Sequence, residues 1–236
     1  MNAATREGWV AQRSAVSSAR YAGSPFTCAE RCATQPSRRC VMSWHVVHLA
    51  DVAATQWRNG GGLTRELASG PAGADWQWRL SVAEVAADGP FSRFEGVTRW
   101  FAVLQGAGVV LRVQTPSDTA TPGATTHRLT VHDAPLCFDG AAATDCRLID
   151  GPTQDFNLML RQACLPARMV RVHANAEELV HASKFVAVYA ISTRASVRFN
   201  AEELYVPPAT LVWRHVTKAA TVRIACEHAL WMEWSA

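Results

Sequence analysis

From Ser43 onward the sequence predicts an all-β protein, a sandwich or barrel with room for a second such unit beginning near Leu165. Three observations carry this. Short apolar runs rich in Val, Ile, Leu and aromatic residues recur throughout, separated by Gly, Pro, Asp and Asn. Two of the runs, Trp76–Val82 and Asp155–Arg161, alternate apolar and polar residues with period two, as a half-buried strand does. Helical spacing is confined to one short stretch, Ala176–Ala182. Many short strands with close turn signals point to a sandwich or barrel.

Residues 1–41 are rich in Ala, Arg and Ser and lack a sustained period, so they read as a disordered extension, with Met42 as the natural start of the folded unit. Six arginines in this arm face only Glu7 and Glu30, which leaves the remainder of a +3 chain close to neutral. A body of that balance lacks the basic face that nucleic-acid binding needs. No apolar run reaches the ~20 residues of a membrane span. Seven cysteines without a CxxC pair or a regular framework fit reduced thiols in the cytosol.

Trp44–Leu49 is the first strand candidate. Trp57-Arg58-Asn59-Gly60-Gly61-Gly62-Leu63-Thr64-Arg65-Glu66 follows, and its three glycines fit either a tight turn or a close approach of another group to the backbone. In Trp76–Val82 the alternation puts Trp76, Trp78, Leu80 and Val82 on one face and Gln77, Arg79 and Ser81 on the other, which is either solvated or the lining of a cavity. Arg99–Gln105 and Val109–Val113, joined by Gly106-Ala107-Gly108, read as a hairpin. Leu129–His132 is the next run. In Asp155–Arg161 the residues Asp155, Asn157 and Met159 share one face, and Phe156, Leu158 and Leu160 the other. Lys184–Ile191, Val197–Phe199, Leu211–Trp213 and Thr221–Cys226 complete the set.

Several chemistries find no support. The G-x-S-x-G elbow of a serine hydrolase is missing, and Gly60–Gly62 matches neither phosphate-loop pattern. His45 and His48, three apart on a strand, face opposite sides, and no carboxylate stands at metal-ligand spacing from any histidine, so no metal or other cofactor is expected. Arg65, Arg79 and Arg99 lie on or beside strands, and a guanidinium binds a carboxylate through two parallel hydrogen bonds. Asp155 and Asn157 add acceptors and a donor to the inventory.

The chain resembles the HutD/Ves family of bacterial histidine-utilisation clusters. The resemblance rests on Trp57–Glu66, Trp78–Val85, Asp88–Gly96, Thr98-Arg99 with Leu104–Gly108, Phe138-Asp139-Gly140, and Asp150–Met159, and it spans about residues 43–236. It implies a double cupin (bicupin) of RmlC-like jelly-roll β-sandwiches, the first covering about 43–164 and the second about 165–236. It also implies an association with histidine catabolism and a role in binding a pathway intermediate or limiting flux. The leading expectation is a cytosolic, non-catalytic protein binding a small carboxylate such as urocanate or formiminoglutamate through Asn59, Gly60, Gly61, Thr64, Arg65, Arg79, Ser81, Arg99, Asp155 and Asn157. The competing expectation is a metal-independent enzyme with Asp155 or Glu66 as general base. Neither nucleic acid nor membrane is an expected partner, and the sandwich edges permit a homodimer.

Overall fold

The computed structural model describes residues 44–114 and 123–236. The extension expected over 1–41, with Cys28, Cys32 and Cys40, lies outside them. In chain order the first eleven strands are β1 (His45–His48), β2 (Thr55–Gln56), β3 (Gly62–Gly70), β4 (Trp78–Val85), β5 (Gly89–Pro90), β6 (Val97–Gln105), β7 (Val109–Gln114), β8 (Ala124–Leu129), β9 (Leu136–Asp139), β10 (Thr144–Leu148) and β11 (Thr153–Arg161). The rest are β12 (Ala167–Val180), β13 (Lys184–Ala190), β14 (Ala195–Phe199), β15 (Glu202–Val206), β16 (Thr210–Val216) and β17 (Ala220–Ser235). Among the described residues no helix is long and apolar enough to cross a membrane.

Three antiparallel sheets result. A six-stranded sheet runs β2-β3-β4-β11-β6-β9, and a four-stranded sheet runs β5-β10-β7-β8. A seven-stranded sheet runs β1-β16-β13-β17-β14-β15, with β12 also paired to β17. The molecule is the all-β double cupin that the resemblance implies. The first described strand crosses over: β1 pairs with β16, so it completes the sheet of the C-terminal half.

The six-stranded sheet is covered on both faces, and this positions the site. One face presents Trp78, Leu80 and Val82 of β4, Ala102 and Leu104 of β6, and Phe156, Leu158 and Leu160 of β11. These pack on Met169, Tyr189, Leu211, Leu230 and Trp234 of the seven-stranded sheet in one continuous apolar cluster. Each such side chain, taken fully out of water, contributes roughly 1.5–3 kcal/mol. The opposite face of the same strands looks toward the four-stranded sheet. There Val85, Phe101 and Val103 meet Val109, Leu111, Leu129 and Cys146 in a second cluster. A third cluster, including Val180, Val188, Val197, Val222 and Trp231, fills the C-terminal half.

Four expectations are corrected. The runs at 99–105 and 109–113 do not form a hairpin: β6 pairs with β11 and β9, whereas β7 pairs with β10 and β8 in the other sheet. The link between them must turn sharply from one layer to the next. Gly106 and Gly108 do so at φ +95° and +109°, and a Cβ on Gly108 would lie 2.3 Å from the Leu129 carbonyl oxygen. Ala176–Ala182 is not a helix, because residues 176–180 continue β12 and pair with β17 from Ala176 opposite Ile224 to Val180 opposite Ala220. Local propensity there is a weak preference, and thirteen positions paired with β17 override it. The run at 129–132 ends its strand at Leu129; Thr130 then donates from N and Oγ1 to Asp133 Oδ2, both at 2.7 Å, and closes a turn. Trp76 precedes β4 and leaves the face of Trp78, packing with Val97, Met159 and Phe94 on the other side of the sheet.

Candidate functional site

Strand register builds the site in rows. Across β4, β11 and β6 the residues Arg79, Met159 and Arg99 are Cα partners, and Arg99 in turn faces Phe138 of β9. The next row is Glu66, Ser81, Asn157 and Phe101, drawn from β3, β4, β11 and β6. The third is Thr64, Ala83, Asp155 and Val103. All of these point to the side away from the Leu80–Leu158 cluster, because side chains alternate along each strand. The first two rows, with Thr64 and Ala83, form the sheet wall of a cavity of about 830 Å³ inside the N-terminal barrel. The 55–59 segment and the 90–94 loop supply its other walls.

Arg99 is the central group. It is buried, and its guanidinium lies over Phe91, Phe138 and Phe94 at 5.1, 5.2 and 5.9 Å from their ring centroids. Nη2 donates to Asn157 Oδ1 at 2.9 Å and Nη1 to the Ser92 carbonyl at 3.4 Å, while Nε has no partner. No carboxylate among the described residues pairs with it. Burial, and after it the charge of Arg79, bring its pKa down to about 10. A buried cation left without a counter-ion is costly. The C-terminal half holds a comparable group in compensated form: Arg214 is also buried and lies over Phe199 and Trp44, but it pairs with Glu202 at 3.1 Å.

Around Arg99 the free polar groups are donors. Asn157 accepts from Arg99 through Oδ1, and among the described residues neither its amide NH2 nor the Ser81 hydroxyl, also buried, has a hydrogen-bond partner. Arg79 Nε lies 3.3 Å from Glu66 Oε2, and Ser69 Oγ donates to Glu66 Oε1 at 2.8 Å, so the acid in the wall is already held. Arg79 and Arg161 both lie over the Trp76 ring, at 5.9 and 5.5 Å. Arg58, Arg79 and Arg99 face the cavity against one glutamate, Glu66.

The structure brings Asn59, Thr64, Glu66, Arg79, Ser81, Arg99 and Asn157 to this cavity and leaves four expected residues out. Arg65 points to the other face of β3, where it pairs with Glu84. Its neighbours Thr64 and Glu66 face the cavity, so strand alternation excludes it. Gly60 and Gly61 belong to the turn: Gly60 has φ +71°, Gly60 N donates to Trp57 O at 3.0 Å, and Gly61 N to Asn59 Oδ1 at 3.1 Å. The close approach falls on Gly62, whose place beside β4 leaves only 2.3 Å between a would-be Cβ and the Glu84 carbonyl. Asp155 is fully buried on the same face of the sheet, between Ala83 and Val103, and lies outside the cavity lining. Thr153 Oγ1 donates to its Oδ2 at 2.8 Å, Oδ1 has no partner, and burial raises its pKa to about 7.

Residues absent from the sequence-based set are Trp57, Arg58, Phe91, Ser92, Phe94, Phe101 and Met159. Trp57 Nε1 donates to Thr64 Oγ1 at 2.8 Å, which locks the 57–62 turn onto the cavity rim. Met159 and Phe101 were legible by alternation alone. The 91–94 loop stands between strands, where no period marks a direction. Among the described residues no group of three or more His, Cys, Asp or Glu side chains converges as a metal site.

A family model described as HutD matches residues 49–232. The chain is 31% identical over 156 residues to an uncharacterized 21.2 kDa protein in the hutC 3' region of Pseudomonas putida, covering 65% of this chain and 77% of that protein. It is 38% identical over 108 residues to protein Ves of Citrobacter koseri, covering 45% of this chain and 52% of Ves, so that match spans about half the relative's length. Among solved structures, HutD from Pseudomonas fluorescens SBW25 (formate condition) superposes with a TM-score of 0.67 at 27% identity, covering 82% of this chain and 98% of the other.

Proposed function

Because the chain belongs to the HutD family, we propose that it is a cytosolic small-molecule-binding protein that receives a small carboxylate of histidine degradation in the N-terminal barrel. One observation carries this reading: Arg99 is a buried cation with no acid partner among the described residues, facing a cavity where Ser81 and Asn157 can each donate a hydrogen bond. A carboxylate supplies the missing charge and accepts from all three. The relative in the hutC 3' region and the match to HutD support histidine utilisation as the setting. A regulatory or sensing role follows if the ligand is an intermediate of that pathway.

Binding is favoured over catalysis by the placement of the two candidate bases. Asp155 is fully buried on the cavity side of the sheet but outside the cavity lining, and Glu66 is tied to Arg79 and Ser69. A general base must reach the proton it removes. Isothermal titration with urocanate and with formiminoglutamate tests the proposal. A saturable 1:1 heat with at least one of them is expected, and absence of binding by both at millimolar concentration would contradict it.

A further inference from the structure

We propose that the ligand carries a second anionic group, received at the cavity mouth by Arg58; this rests on the binding role argued above. Arg65, Arg79, Arg168, Arg198, Arg214 and Arg223 each pair with a glutamate. Arg58 has no ion pair or hydrogen bond among the described residues, yet it lines the same cavity as Arg99.

Its backbone is fixed. Trp57 N donates to Gly62 O at 2.9 Å, and Gly60 N to Trp57 O at 3.0 Å, while the Trp57 indole is tied to Thr64. The guanidinium is therefore presented from a closed turn, and less freedom is lost when it engages a ligand. Arg58 is exposed at the mouth and Arg99 buried at the floor, with Phe91, Phe101 and Met159 forming apolar wall within the same cavity. A volume of about 830 Å³ far exceeds what a one-carbon or two-carbon acid fills. One buried and one exposed guanidinium in a single cavity that also has apolar wall suit a dicarboxylate. Glu66 does not oppose it, since Arg79 lies 3.3 Å from that carboxylate.

Pentanoate and glutarate share a five-carbon chain and differ in one carboxylate, so their dissociation constants at low ionic strength isolate the second charge. Glutarate is expected to bind about threefold to tenfold more tightly, the range for a partly exposed charge pair. In R58A, which removes an exposed side chain with no hydrogen bond or ion pair among the described residues, the ratio of the two constants is expected to fall to about one. Equal affinity of the two acids in the unaltered protein would overturn the inference and leave carboxylate binding standing. A glutarate preference that survives R58A would overturn the assignment to Arg58. Failure of both acids to bind would remove the binding role itself.

Discussion

Replacing Arg99 with methionine is expected to raise the melting temperature of the unliganded protein while abolishing carboxylate binding. The two effects have opposite signs for one reason. The guanidinium is buried among Phe91, Phe94 and Phe138, holds a single close hydrogen bond to Asn157, and has no acid partner among the described residues. Desolvation is therefore uncompensated, and an unbranched apolar side chain of similar length removes it. The rings remain packed and the bond to Asn157 is lost, at about 1 kcal/mol. A net gain of about 1–2 kcal/mol is expected, in line with other uncompensated buried ions. Binding loses its only buried cation, so affinity is expected to fall by at least about 100-fold. Thermal unfolding with and without carboxylate reads both effects. A destabilised R99M that still binds would show that Arg99 serves the fold and not the ligand.

Asp155→Asn is expected to flatten the pH dependence of stability between about pH 5 and pH 8. The native carboxyl is raised from 3.8 to about 7 by burial, against a smaller opposing effect of the Thr153 hydroxyl. The folded state therefore holds a proton that the unfolded state has released. Stability is full below the unfolded value and falls as pH rises through the native one. At roughly 1.4 kcal/mol per pKa unit the fall is about 2–4 kcal/mol by pH 8. Asparagine keeps the shape and the acceptor for Thr153 and carries no ionisation, so the variant's advantage over the unaltered protein is expected to be about 2–3 kcal/mol larger at pH 8 than at pH 5. Denaturant unfolding at the two pH values measures this. The same substitution is expected to leave ligand affinity at pH 5 within about twofold, since Asp155 is buried outside the cavity lining. Parallel pH curves would show that the carboxyl is charged in the fold.

Much of this arrangement was legible in the sequence, and the illegible parts share a cause. Period two in 155–161 and 78–82 separated the apolar face from the face that carries Asn157, Ser81 and Arg79, because one face packs on the apolar cluster and the other lines the cavity. The same rule excluded Arg65 once Thr64 and Glu66 were placed, so that signal was present. Pairing was not legible. Arg79 and Arg99 meet only because β11 lies between β4 and β6, which sets Met159 opposite both. Residues 99–113 likewise resemble a hairpin until β6 and β7 are assigned to different sheets. The raised pKa of Asp155 depends on burial by that pairing and has no mark in the local sequence.

The central claim is that a carboxylate completes Arg99. The most direct measurement is a crystal structure of the protein grown with formiminoglutamate. The expected result is a carboxylate within about 3 Å of the Arg99 guanidinium, inside the N-terminal barrel, with Ser81 or the Asn157 amide donating to it. A ligand bound elsewhere, with Arg99 satisfied by a carboxylate of the protein, would contradict it.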